Sequence, residues 1–147
     1  MTVTRTFDWN NYVTLAKTLA DSDDEAALRT AISRAYFGAL HIAEEACISG
    51  HVLIPLEVVR GTRIDRSHHA RVITALTRHD DEHLRKAGEF LHKMRGWRNG
   101  ADYESVFWGD VSTVARDVLN KAERVKAELD AFIRDQGPSE TTETESR

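Results

Sequence analysis

Within six residues, Arg98-Asn99-Gly100-Ala101-Asp102-Tyr103, the chain places a guanidinium, an amide, a carboxylate and a phenol. The stretch before them carries an apolar stripe of Leu84, Ala87, Leu91 and Met94. Continued at helical spacing, that stripe runs into Arg95 and Arg98 instead of more carbon. A guanidinium keeps its proton, so one placed at a core position needs a carboxylate, a phosphate or open water beside it. Two arginines and Asn99 therefore form either a structural ion-pair knot or an anion site. His92, Arg95 and Asn99 share one helical face, which brings an imidazole near the arginines. The carboxylate and phenol of Asp102-Tyr103 could equally fix the turn after Arg98.

Other chemistry-bearing residues have plainer readings. Arg34, with Tyr36 and His41 nearby in sequence, is expected to form an internal salt bridge to Asp102, with direct phosphate contact as the alternative. Adjacent His68 and His69 point about 100° apart on a helix, which suits capping and packing better than zinc. His79 and His83 have metal-ligand spacing, but Asp80-Asp81 breaks the helix between them and no further ligand is evident. No metal and no cofactor is expected. Arg63 and His68 bracket four residues, but they lie in a loop. Trp97, Phe107 and Trp108 could stack on bases, cover the core or form a dimer face.

Composition narrows the class. The 147 residues carry 24 acidic and 20 basic side chains, a net charge of −4. That argues against a uniformly basic nucleic-acid binder and leaves room for a local basic cleft. Cys47 is the single cysteine, so no internal disulfide forms, and it reads as a small buried hydrophobe. Met1 to Trp9 lacks the pattern of a signal peptide, and no stretch is apolar enough to cross a bilayer. The expectation is a cytoplasmic protein with no membrane contact.

Five helical patterns must position these groups. Asp8 caps a first helix with Trp9, Tyr12, Val13, Ala16 and Leu19 on one face. Ser22 and Glu25 form a capping box for a long second helix ending at Gly50. Residues 51–66 read as a loop, with Val52-Leu53-Ile54 and Val58-Val59 as short strands or apolar packing. Ser67 caps a third helix to Thr77, and a fourth spans Asp80 to Arg98. Asn99 to Gly109 form a connector, and Asp110 caps a last helix with a seam from Val111 to Phe132. The spacing predicts an all-α bundle of four to five helices over 1–135 and a disordered acidic tail over 136–147.

Ala31-Ile32-Ser33-Arg34-Ala35-Tyr36-Phe37, followed by Ala39-Leu40-His41 and Ala43, resembles the SRAYYAxxHAA signature of small bacterial HEPN-domain proteins (higher eukaryotes and prokaryotes nucleotide-binding). Ser67-His68-His69 resembles the family's SH segment, and Arg98 to Tyr103 its RxxADY ending. Order and spacing agree over roughly Trp9 to Phe132. The resemblance implies an up-and-down bundle that pairs with a second copy. It also implies metal-independent ribonuclease chemistry, often in toxins restrained by an antitoxin such as a small nucleotidyltransferase. The family's site is an Arg, a polar residue and a His four to six residues on, supplied by both subunits to one cleft.

Arg98 and Asn99 match the first half, but the histidine window holds Tyr103, Glu104 and Ser105. Imidazole serves as acid and base near neutral pH, whereas an unperturbed phenol titrates near ~10. On the family pattern Arg98 binds the scissile phosphate, Asn99 orients it and Tyr103 takes the histidine's place. Arg95, Arg34, Asp102 and His92 bind phosphate or support the site. Three functions remain open at this point. One is a toxin or defence component binding RNA or nucleotide phosphate at a homodimer cleft, with or without endoribonuclease activity. Another is a non-catalytic helical partner of a nucleotidyltransferase or another HEPN chain, and the third is an assembly bundle without a ligand.

Overall fold

Alanine and glycine let the helices of this chain approach closely, and that closeness organises the bundle. A computed structural model describes residues 6–52, 54 and 68–145, with side chains at all of these except 68 and 137–145. The elements are α1 (Asn10–Leu19), α2 (Glu25–Ser49), α3 (His68–Thr77), α4 (Glu82–Tyr103) and α5 (Val111–Glu145), and no strand occurs among the described residues. The fold is an all-α bundle.

Short acids start the helices, in places one residue away from the expected cap. Asp8 Oδ1 accepts the Asn10 amide at 3.0 Å, while Trp9 takes the cap position of α1. Asp24, not Ser22, caps α2 by accepting the Ala27 amide at 3.1 Å. Ser22 instead accepts the Asp24 amide at 2.9 Å, and Glu25 turns to Arg29. A carboxylate at the N-cap position satisfies an orphan amide and complements the helix dipole, so it displaces the capping box. Asp81 caps α4 through the Leu84 amide and Asp110 caps α5 through the Thr113 amide.

Helix α2 packs on α1, α4 and α5, and α3 packs chiefly on α4. In α2, Ala31, Ile32, Ala35, Tyr36, Ala39, Leu40, Ala43 and Cys47 are all buried. At Gly38 any Cβ would sit 2.9 Å from Val13 Cγ2 and 3.1 Å from the Trp9 carbonyl, so α1 lies almost on the α2 backbone. Contacts along the helices give their directions. Trp9 reaches His41, Arg29 reaches Glu104, and His83 reaches Glu128. Each joins the start of one helix to the middle or end of the next, so α1 against α2, α2 against α4 and α4 against α5 are antiparallel.

Two helix ends differ from the sequence reading. Helix α4 does not stop at Arg98 but runs through Asn99 and Gly100 to Tyr103. A glycine inside a helix costs only about 1 kcal/mol, and tertiary contacts described below offset it. Helix α5 continues through Gly137-Pro138 to Glu145, past the end expected at Gln136. Extending a formed helix adds one hydrogen bond per residue, which works against the lost donor of Pro138 and the crowding of its ring on the Arg134 carbonyl. The last buried side chain among the described residues is Phe132.

Val52 and Ile54 rest partly buried against the core, as an apolar loop requires. Leu53, the Val58-Val59 pair, Arg63 and the Ser67 cap lie outside the described residues. No helix among the described residues is long and apolar enough to cross a membrane.

Candidate anion site at the α2–α4 contact

The last two turns of α4 lie against the first half of α2, and Arg98 sits in that contact. Only 7% of it is exposed. Its guanidinium carbon lies 5.3 Å from the Tyr36 ring centre, 5.1 Å from Phe37 and 5.6 Å from Tyr103. Such stacking lets the weakly hydrated guanidinium leave water without losing its charge. Nη1 donates to the Tyr103 hydroxyl at 3.3 Å and stands 3.7 Å from Asp102 Oδ2. Nε is buried and has no hydrogen-bond partner.

Asp102 does not pair with Arg34. Its Oδ2 accepts the Ser33 hydroxyl at 3.1 Å as well as facing Arg98. Neighbours on a helix diverge by about 100°, so Ser33 facing α4 turns Arg34 away from it. Arg34 lies instead over Tyr12 at 4.7 Å and Phe37 at 5.3 Å. Phe37 is thus a shared wall between two guanidinium groups. Arg95 is half-buried, and its buried Nε lacks a partner too.

The local charge is unbalanced. Among the described residues, Arg34 and Arg95 have no carboxylate at ion-pair distance, and Arg98 has only Asp102. Three guanidinium groups therefore face one carboxylate in a chain that is acidic overall. Tyr36 stands beside Arg95 and Arg98 with a buried hydroxyl that makes no hydrogen bond of good geometry. Burial pushes its pKa up to about 12, against the opposing pull of the Arg95 and Arg98 charges. It stays a neutral phenol and cannot act as a base.

The sequence-derived candidates divide by position. Arg98, Asp102, Arg34 and Tyr103 gather around Phe37 and Tyr36. Arg95, Asn99 and Tyr103 follow one another at i, i+4 and i+8 along the outer face of α4, with His92 a turn earlier. His92, Asn99 and Tyr103 are exposed. His69 joins the group unexpectedly, its ring 5.3 Å from Phe37 and 5.8 Å from Tyr36. Arg29 is a residue that spacing did not single out. It donates to the carbonyls of Ala101 at 3.1 Å, Glu104 at 2.6 Å and Ser105 at 3.2 Å, closing the end of α4.

The remaining candidates serve elsewhere. His79 Nδ1 accepts the Asp81 amide, and His83 Nδ1 lies 2.7 Å from Glu128 Oε1, so the two imidazoles do not converge. Among the described residues no group of three His, Cys, Asp or Glu could hold a metal ion. Cys47 is buried, which pushes its thiol up to about 11, with Glu44 adding to the rise. Trp97 stacks on Phe107 at 5.9 Å and both rest against the core, whereas Trp108 is exposed. A recess of about 320 Å³ beside them, at Ser105, Phe107 and Gly109, presents Glu25 and has the wrong sign for phosphate.

Comparison with protein-family models, with curated proteins and with solved structures finds no match in any of the three.

Proposed function

We propose that this chain is a HEPN-like toxin or defence component. It binds RNA or a nucleotide through phosphate at the α2–α4 face, in a cleft shared by two copies. The observation that carries this reading is the excess of guanidinium over carboxylate around Phe37 and Tyr36. Arg95, Asn99 and Tyr103 line the outer face, where a strand can reach them. Tyr103 accepts a hydrogen bond from Arg98, which leaves its own hydroxyl proton free to donate to a phosphate oxygen. Arg98 acts from beneath, adding charge and fixing that phenol. Strand cleavage would need an acid and a base besides, and binding stands without it.

A labelled single-stranded RNA, titrated at several salt concentrations without metal, tests this. Wild type should bind with a steep salt dependence. Arg95→Ala should flatten the slope by roughly 0.7, the share of one neutralised phosphate on a single strand. No binding at low salt sinks the reading, and fragments accumulating in chelator would add nuclease activity to it.

A different observation favours a second reading, a non-catalytic partner subunit of a nucleotidyltransferase or another HEPN chain. Val106 and Trp108 are 59% and 75% exposed on one short connector, with Tyr103 74% exposed at the end of α4 before it, and exposed groups of this kind suit a protein contact. On this reading Trp108→Ser weakens assembly and leaves phosphate binding intact.

A further inference from the structure

On the far side of Phe37 from the Arg98 cluster, α1 and α2 enclose a recess of about 240 Å³, open to solvent and lined by Trp9, Tyr12, Arg34, Phe37 and His41. Four of its five walls are aromatic rings. Trp9 and His41 stack face to face, with centres 3.8 Å apart and planes 16° apart, so each already covers one face of the other. Arg34 lies over Tyr12 and Phe37, and among the described residues no carboxylate pairs with it. The volume falls below the ~300 Å³ at which sites for drug-sized ligands begin, so the occupant is small. Rings for a planar group, beside one cation for an anion, are what single-stranded nucleic acid meets where bases stack and backbone is neutralised.

We infer that this recess takes one unpaired nucleotide, its base among the aromatic rings that line it and its phosphate on Arg34. The inference rests on the phosphate-binding reading and extends it. Phe37 joins the recess to the Arg98 cluster, so the captured nucleotide belongs to the strand whose phosphates run past Arg95 and Tyr103. The recess thereby selects unpaired RNA, because a base within a duplex cannot leave its stack to enter without unpairing.

The experiment titrates uridine 5′-monophosphate, ribose 5-phosphate and a single-stranded RNA into the full chain, followed by nitrogen-15 NMR. Uridine monophosphate should shift the Trp9 indole and the α1 amides and bind roughly ten-fold tighter than ribose 5-phosphate, the gain from stacking one base. Arg34→Gln should weaken both small ligands. Tyr12→Leu should weaken the nucleotide several-fold and leave ribose 5-phosphate nearly unchanged, with helicity checked by circular dichroism. Equal affinity for the two small ligands, or a nucleotide indifferent to Tyr12→Leu, overturns the recess. If RNA still binds and still depends on Arg95, the phosphate-binding reading survives that failure. If uridine monophosphate binds but RNA does not, the recess stands and the strand reading falls. If nothing binds, both fall.

Discussion

Ser33 Oγ donates to Asp102 Oδ2 across 3.1 Å, joining α2 to α4 between residues 69 apart in sequence. The same oxygen faces Arg98 Nη1 at 3.7 Å, so one carboxylate serves a hydroxyl and a buried cation together. It is also the acid paired with Arg98 in the proposed phosphate site, and its structural and binding roles oppose each other. Asp102→Asn keeps an oxygen for Ser33 and removes the charge. Since Asp102 is partly exposed, urea denaturation should show a loss of only about 1 kcal/mol. RNA binding should tighten about five-fold, the effect of one fewer negative charge at partly screened distance. Weaker binding would instead mean that Asp102 holds Arg98 in its working position.

Arg29 closes α4 from another helix. Its donor contacts satisfy the Ala101 carbonyl that the helix end leaves open and the carbonyls of Glu104 and Ser105 just past it, and the guanidinium lies 5.6 Å from the Phe107 ring centre. Lysine offers a point charge rather than a fork and cannot bridge all three. Arg29→Lys should therefore cost about 2 kcal/mol in urea denaturation. Amide exchange at residues 104–107 should quicken in the same variant while the α2 core stays protected. RNA affinity should fall with it, because Tyr103 rides on the turn that Arg29 secures.

Helix spacing made most of the bundle legible. The stripe from Val111 to Phe132, the alanines of α2 and the stop at Gly50 depend on nearest-turn periodicity, which a sequence displays directly. The position of Arg98 also showed, as a charge standing where the Leu84 to Met94 stripe called for carbon. What stayed hidden depends on contacts between distant segments. Asn99 to Tyr103 looked like connector because nothing local reveals that Arg29 will hold the helix beyond Arg98. Arg34 looked like the partner of Asp102 because the direction of a side chain around α2 is fixed by packing against α1. His69 read as a packing residue, and only the fold sets it on the same two rings as Arg98.

The His83–Glu128 contact gives the bundle a pH-dependent tie between α4 and α5. The hydrogen bond to Glu128 raises the imidazole pKa above its ordinary value, with Glu128, Asp81 and Asp135 charges adding to it. A group raised on folding contributes stability that is complete below the unfolded value, near ~6.5, and is lost as pH climbs through the folded value. The stability gap between wild type and His83→Gln should thus be wider at pH 5.5 than at pH 8.5, measured by urea denaturation at each pH. An equal gap at both would remove the tie.

Two glycines of α4 should respond to alanine with opposite sign. At Gly88 an added Cβ would meet Thr77 Cγ2 at 2.7 Å, the Thr77 backbone nitrogen at 2.8 Å and Leu76 Cβ at 2.9 Å. Backbone cannot yield as a side-chain tip can, so α3 would be pushed off α4. Overpacking of this kind costs about 1–3 kcal/mol, against a helix-propensity gain of about 1. Gly88→Ala should come out destabilised. At Gly96 a Cβ meets nothing within 4 Å, and only the propensity gain remains. Gly96→Ala should raise the urea midpoint by the equivalent of about 0.5–1 kcal/mol. The two substitutions share a helix and a chemistry, so a difference in sign isolates the closeness of α3. Stabilisation by both would mean that α3 has room to move, and with it His69, which that helix carries to the rings of Tyr36 and Phe37.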